Sequence, residues 1–241
     1  MRRSFGVVGA GAAVAAVAGW KVFERWQRSW GATDDELVMD LPGDELTAEP
    51  VEQSTRAVTV DATPHDVWPW VVQLGADRGG FYSYDWLENL FGLEIHSADA
   101  IAPEWQRLDV GDMVYSDNER KNGWILVKVV PDEVLVMKQA DMKVGRAMNR
   151  NEGLGFEFQW TFALRPLPAG GARLLVRERV AYGRRFTRWL MAPVGVVSFV
   201  MTRKMLLGIK QRAESTTGST ALADHTIAAD VDEMRLSRVP S

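Results

Sequence analysis

The chain has 241 residues, of which 46% are hydrophobic and 10% aromatic, and it carries a formal net charge of −4. This composition supplies one sizeable core, in a domain of about 150 to 170 residues with appendages, and the modest negative charge gives no case for a nucleic-acid partner. Cysteine is absent, which excludes disulfides and thiolate chemistry. The three histidines are far apart in the sequence, so we predict no metal site, and we predict no cofactor.

The first thirty residues form the first predicted segment, a hydrophobic anchor with a Trp-rich basic flank. Arg2 and Arg3 precede an uncharged run, Ser4 to Trp20, that is rich in Ala, Gly and Val. Such a run is at the short end of what spans a bilayer. The first interpretation is therefore a single membrane-anchoring helix, whose side of the membrane is undecided.

Two alternatives to an anchor remain open. The motif Ala16-Val17-Ala18 fits a secretory signal that is cleaved, which would leave a secreted protein. The segment could also be the N-terminus of a cytoplasmic protein. The tryptophans and arginines of residues 20–30 suit a membrane interface, and they equally suit a helix that packs on the domain.

The segment of residues 31–54 is acidic and rich in turn-forming residues, without hydrophobic periodicity. We predict a linker or a surface strap there. Residues 215–241 are mostly small and polar, which predicts a disordered tail. A single domain of residues 55–214 lies between these segments.

The domain begins with a strand and a helix. Residues 56–61 alternate as a strand does, and Thr63 can cap a helix that starts at Pro64 and is kinked by Pro69. Residues 67–92 then hold seven of the twenty-three aromatic side chains, interrupted by Gly79-Gly80. A helix that ends in glycine and restarts with tyrosine, aspartate and tryptophan predicts the wall of an apolar pocket with a few fixed polar groups.

Antiparallel strands are predicted at 112–115, 124–130, 133–139, 155–165 and 172–182, with a possible lid at 139–155. A long helix should follow at 184–212, with a break near Pro193 and Gly195. Its stripe Leu190, Val194, Val197, Met201 and Met205 is expected to pack on the sheet.

The last two strands indicate which face of the sheet is inside. Phe156, Phe158 and Trp160 alternate with polar residues, as in a sheet with one wet side. In the next strand the arginines would be on the wet face, which would place Glu178 inside. A buried carboxylate is a site candidate because it must be paired or have a raised pKa, and the alternative is a salt bridge at the rim.

The order strand, helix, helical insertion, antiparallel strands and long C-terminal helix resembles the START-like superfamily, also called SRPBCC or Bet v 1-like. More closely, residues 67–92, 95–99, 103–105, 110–112 and 175–179 resemble actinobacterial SRPBCC proteins of the polyketide cyclase/dehydrase and lipid-transport type. The resemblance covers residues 55–214. It implies an α+β helix-grip fold, a curved antiparallel sheet wrapped on a long C-terminal helix, to which this chain adds an N-terminal hydrophobic helix.

Our first functional hypothesis is membrane-associated binding or carriage of a hydrophobic small molecule, such as a lipid, isoprenoid or polyketide. The predicted ligand-binding residues are Trp68, Tyr82, Tyr84, Asp85, Trp86, Trp124, Phe156, Phe158, Trp160, Glu178, Val197 and Met201. The second is a cyclase or dehydratase acting on such a ligand, with Glu178, Asp85 and His96 as catalytic candidates. The third is an interaction module at the cell envelope whose interior is filled by its own side chains.

Overall fold

The structure is a computed structural model that describes residues 4–90, 92, 94–152 and 155–236, with side chains described from 15 to 218 except at 88, 185 and 188–193. Its helices are α1 (Ser4–Arg28), α2 (Asp34–Val38), α3 (Pro64–Val72), α4 (Asp85–Leu90) and α5 (Arg185–Leu236), and short 3₁₀ helices lie at Asp44–Thr47 and Pro103–Trp105. Its strands are β1 (Glu52–Val60), β2 (Met113–Tyr115), β3 (Gly123–Val130), β4 (Val134–Asp141), β5 (Arg146–Ala147), β6 (Phe156–Pro166) and β7 (Ala172–Tyr182).

The strands form one curved antiparallel sheet of seven strands in the order β1-β7-β6-β4-β3-β2, with β5 paired to β4. Together with the long helix α5, this α+β architecture fits a helix-grip arrangement, as predicted. The predicted strands are confirmed to within a few residues, although β1 begins at Glu52, inside the predicted linker. The short strand β5 lies in the segment predicted as a lid.

Local sequence signals explain where helix α3 begins. The Thr63 hydroxyl accepts a hydrogen bond from the Asp66 backbone N–H, and the Asp66 carboxylate accepts from the Thr63 backbone in return. Pro64 occupies the first helical turn, where no backbone donor is needed. This capping box fixes the start of α3, which continues through Pro69 to Val72.

The main core lies between the inner face of the sheet and helices α3 and α5. Side chains from β1, β4, β6 and β7 meet Val67 and Trp70 of α3 and Leu74 just after it, together with Met205 and Ile209 of α5. The predicted inward face of β6 is confirmed, because Trp160, Phe162 and Leu164 belong to this core and Phe158 packs against it.

The outer face of the sheet is also covered, and the prediction of a wet face is therefore wrong. Residues 31–48 lie across it as a strap, and Leu41 packs on Ala57, Val136 and Leu175 in a second apolar cluster. Arg177, which was predicted to face water, is only 1% exposed. Of the two alternatives for this segment, the strap agrees with the structure.

Ion pairs hold the strap against the arginines of β7. The Arg177 guanidinium contacts the Asp44 carboxylate at 2.5 Å and donates to the backbone carbonyls of Met39 and Glu36. Arg173 donates two hydrogen bonds of 2.7 Å to the Glu36 carboxylate. Burial opposes ionisation of Glu36, but Arg173 and the hydrogen bonds from Thr33 together more than offset that cost, so the pKa of Glu36 lies below its usual value.

Helix α5 differs from its prediction in two respects. It is uninterrupted through Pro193 and Gly195, and it continues beyond residue 214, where we predicted the domain to end, to Leu236. The predicted stripe is correct only in part, because Met205 is 1% exposed and packs in the core, whereas Val194 and Val197 are 47% and 54% exposed. The side chain of Leu190 lies outside the described residues. Since this stretch is apolar on all sides, its periodicity alone could not identify the inward face.

Helix α1 runs for 25 residues, from Ser4 to Arg28. Within the part of the chain that the structure describes, none of the helices combines the length and the apolarity that crossing a bilayer requires. The predicted transmembrane helix is therefore not supported. The physical reason lies in the residues, since alanine and glycine are only weakly hydrophobic and α1 goes on into Lys21, Glu24 and Arg25 without a break.

Candidate ligand-binding cavity

A cavity of about 590 Å³ lies at one end of the sheet, between α1, the strands β1, β6 and β7, and the N-terminal part of α5. Its walls combine aromatic and aliphatic side chains with a small group of polar ones. The lining comprises Trp20, Glu24, Gln27, Arg28, Val51, Glu52, Gln53, Ser54, Arg56, Phe156, Phe158, Glu178, Val180, Tyr182, Gly183, Arg184, Val194, Gly195 and Ser198.

The buried carboxylate of Glu178 is the polar centre of this wall. Arg56 on the neighbouring strand β1 places Nη1 2.9 Å from Glu178 Oε1. Three hydroxyl groups also donate to the carboxylate: Ser54 at 3.1 Å, Ser198 at 2.9 Å and Thr202 at 2.8 Å. The inward orientation predicted for Glu178 is confirmed, and its partner is an arginine inside the protein rather than at the rim.

The surroundings of Glu178 determine its charge. Burial alone would raise its pKa, but the charge of Arg56 and the hydrogen bonds from Thr202 and Ser198 outweigh burial, so the pKa lies below its usual value. Glu178 is therefore ionised at neutral pH. A carboxylate with a lowered pKa is a weak base, and it is poorly matched to proton abstraction near neutral pH.

Arg56 and Glu178 connect the sheet to both helices that enclose the cavity. Arg56 Nε donates to the Gln27 backbone carbonyl in the last turn of α1 at 2.9 Å, and its guanidinium lies 5.5 Å from the ring centroid of Phe199 on α5. Glu178 accepts from Ser198 and Thr202, which are also on α5. One ion pair thus ties α1 and α5 to the strands β1 and β7.

Some of the predicted ligand-binding residues lie in this cavity, and others lie in the core. Phe156, Phe158 and Glu178 line the cavity. Trp160 belongs to the main core, and Trp124 and Trp68 are partly buried and pack against that core. The ring centroids of Trp124 and Trp160 are 5.3 Å apart. Met201 is half-buried, and Val197 is exposed and does not face the interior.

The aromatic segment 67–92 borders a second, open groove rather than the cavity. Tyr82, Tyr84, Asp85 and Trp86 line this groove with Lys204 and Arg212 of α5. Tyr82 is 1% exposed and Trp86 is 68% exposed, so neither matches a half-open pocket wall. Burial raises the pKa of the Tyr82 hydroxyl above its usual value.

The Gly79-Gly80 pair has a packing role in this segment. A Cβ on Gly79 would lie 2.8 Å from the Gln73 carbonyl oxygen and 2.9 Å from the Tyr82 hydroxyl, and one on Gly80 would lie 2.8 Å from the His96 carbonyl oxygen. The glycines therefore allow a tight loop to close on the core.

The three catalytic candidates do not form one site. Asp85 accepts hydrogen bonds from the backbone N–H and the hydroxyl of Ser97, at 2.9 and 2.6 Å, so its carboxylate holds a loop. His96 is exposed beside that loop. Glu178 belongs to the cavity, and the groove that contains Asp85 shares no lining residue with it.

Sequence reasoning missed the polar residues that surround Glu178 and its ion pair: Gln27, Ser54, Arg56, Ser198 and Thr202. Ser54 and Arg56 share the inward face of β1 with Val58 and Val60, a polar interruption of an apolar alternation that pointed to a partner for Glu178. Ser198 and Thr202 are four residues apart on α5, so they lie on one face of that helix. That face is the one that packs on Glu178.

No family model matches the chain, and no curated protein matches it. Solved structures similar to it include a protein from Mesorhizobium loti (13% identity, TM-score 0.40, 68% of this chain and 98% of that one). Another is the Aha1 dimer from Colwellia psychrerythraea, with 15% identity and a TM-score of 0.37 over 68% of this chain and 97% of that one. A third is a putative protein of the dynemicin biosynthetic locus, with 16% identity and a TM-score of 0.36 over 65% of this chain and 46% of that one.

Proposed function

We propose that the protein binds and carries a hydrophobic small molecule in the cavity between α1, the sheet and α5. The observation that supports this is a volume of about 590 Å³ with aromatic and aliphatic walls around one buried polar cluster. Ligand sites of roughly 300–1,000 Å³ typically combine apolar walls with a few polar groups that fix orientation. A lipid, isoprenoid or polyketide with one polar end has the matching chemistry.

The polar cluster suits the polar end of such a ligand. The side-chain amide oxygen of Gln27 is buried and accepts no hydrogen bond within the described part of the chain. Nη1 of Arg56 is already occupied by the ion pair with Glu178. The group left over is therefore an acceptor, and a hydroxyl group can donate to it, so a neutral ligand with a hydroxyl end is favoured.

Binding without chemistry is favoured over acid–base catalysis. The ion pair with Arg56 keeps Glu178 ionised, and the catalytic candidates Asp85 and His96 lie at another site. A general base needs both reach to the substrate and a suitable pKa. Glu178 reaches the cavity but has a lowered pKa, and Asp85 lines the separate groove and does not reach the cavity.

The test is native mass spectrometry of the purified full chain, followed by titration with the neutral hydrophobic probe N-phenyl-1-naphthylamine. We expect a co-purifying lipophile, and saturable binding of one probe per chain once it is removed. Val180→Phe should reduce probe affinity at least tenfold, because Val180 lines the cavity. Val110→Phe is the matched control, since Val110 is 63% exposed and is not among the cavity-lining residues.

A protein without a bound lipophile and without saturable probe binding would refute the proposal. Equal effects of Val180→Phe and Val110→Phe would also refute it, because the probe would then bind elsewhere.

A further inference from the structure

Apolar side chains are exposed on both helices that border the cavity. On α1, Trp20, Val22 and Trp26 are 54%, 70% and 49% exposed. On α5, Val194, Val197 and Val200 are 47%, 54% and 39% exposed. The outward face of a surface helix is normally polar, so a group of exposed apolar side chains on two adjacent helices indicates an interaction surface.

These side chains lie at the same end of the molecule as the cavity. The rings of Trp26 and Phe199 are in edge contact, with centroids 5.1 Å apart, which places α1 beside α5. Trp20 of α1 and Val194 of α5 are both partly exposed and also line the cavity. The apolar surface is therefore continuous with the cavity wall.

Positive charges surround this apolar surface, although the whole chain has a net charge of −4. Lys21 and Arg25 are exposed on α1, and Arg184 and Arg203 are exposed on either side of the apolar segment of α5. The acidic residue of α1 in this region, Glu24, is already paired with Arg28 at 2.7 Å. A second copy of the chain would bring like charges together, whereas an anionic surface would neutralise them.

We propose that this surface of α1 and α5 docks on the surface of a bilayer that contains anionic lipid, without crossing it. Exposed tryptophans among basic residues favour the interface between headgroups and acyl chains, where the rings sit at headgroup level. Docking would bring the cavity opening against the lipid. The inference goes beyond the proposed function, because the surface can dock whether or not the cavity is occupied.

The test is co-sedimentation of the full chain with vesicles of phosphatidylcholine, with and without phosphatidylglycerol. We expect binding to the anionic vesicles, weaker at high salt and much weaker to phosphatidylcholine alone. Lys21→Glu should weaken binding by about fivefold or more, because each basic residue near the surface contributes about 1 kcal/mol. Val197→Glu should weaken it at least tenfold.

Matched controls are Lys143→Glu and Val144→Glu, at exposed positions in the β4–β5 turn, which should change vesicle binding less than twofold. Val197 does not line the cavity, so Val197→Glu should keep the co-purifying lipophile. Vesicle binding by a protein with an empty cavity would leave docking intact and refute carriage.

No vesicle binding, equal binding to both vesicle types, or equal effects in the controls would overturn the docking proposal. A dimer that Val197→Glu dissociates, seen by light scattering, would overturn it in favour of a second copy of the chain.

Discussion

The ion pair between Arg56 and Glu178 offers the sharpest test of the structure. Arg56→Met removes the cation and retains much of the aliphatic stem. The two side chains are 3% and 9% exposed, so the substitution leaves Glu178 buried without its charge partner. Breaking a buried pair from one side costs about 3–5 kcal/mol. Three hydroxyl donors remain on Glu178, so we expect about 3 kcal/mol.

The pH dependence distinguishes this explanation from simple loss of packing. In the native protein the folded-state pKa of Glu178 is lowered, so its stabilising contribution is present above the unfolded-state pKa and is lost as the pH falls. Without Arg56, burial should dominate and raise the folded-state pKa above the unfolded value. Acid should then favour the folded variant, and the stability gap between the two proteins should narrow between about pH 7.5 and pH 5.

The assay is urea unfolding followed by tryptophan fluorescence at both pH values, with Arg165→Met at an exposed position as the matched control. The control should lose less than about 0.5 kcal/mol. A loss below about 1 kcal/mol for Arg56→Met, or a gap that does not narrow in acid, would refute the reasoning.

Three further predictions concern packing and the strap, and each is measured by the same urea unfolding. Gly208→Ala should cost about 1–3 kcal/mol of stability, because the added Cβ would meet the Tyr82 carbonyl oxygen. Gly195→Ala is the control, since a Cβ there has open space and should gain up to about 1 kcal/mol. Equal effects of the two substitutions would contradict the close packing of α5 on Tyr82. Asp44→Asn should cost about 3 kcal/mol by leaving Arg177 buried without its carboxylate, whereas exposed Asp40→Asn should cost less than about 0.5 kcal/mol. The lowered pKa of Glu36 makes its contribution present at neutral pH and lost as the pH falls, so Glu36→Gln should flatten the acid limb of the stability curve below about pH 5; parallel curves would argue against this.

The alternation of β6 and β7 was sufficient to predict the strands and the inward position of Glu178. It could not predict the partner, because Arg56 is on a strand far earlier in the chain and only the pairing of β1 with β7 brings the two together. The exposure of Val197 was missed for a related reason. The hydroxyls of Ser198 and Thr202 bond to Glu178 and determine which face of α5 turns toward the sheet. The pattern of apolar residues around them therefore could not identify the inward face of the helix.

Local pattern left open whether residues 31–48 form a linker or a strap, and it assigned the wrong exposure to the face that the strap covers. Arginines on alternate positions of β7 have the pattern of a wet face, and acidic residues in 31–48 have the pattern of a solvated linker. In the folded protein the acidic residues of the strap pair with the arginines of β7, and both become largely buried, as Arg177 and Asp44 do. Charge complementarity between two distant segments was therefore the available signal, and it becomes decisive only when the fold is known.

The same reasoning separates the stabilising role of the buried ion pair from its role in shaping the cavity. Buried pairs contribute little net stability, and apolar replacements of both partners are often neutral. We therefore expect the double variant Arg56→Met/Glu178→Leu to recover at least half of the stability that Arg56→Met loses.

Probe binding by that double variant should nevertheless stay weak. Arg56 holds the last turn of α1 through the Gln27 carbonyl, and Glu178 holds α5 through Ser198 and Thr202. Without these polar contacts the two helices lose the interactions that position them around the cavity. We expect at least fivefold weaker binding of N-phenyl-1-naphthylamine than in the native protein. If the double variant regains both stability and native probe affinity, the polar cluster neither positions the helices nor contacts the ligand, and the cavity would bind by its apolar walls alone.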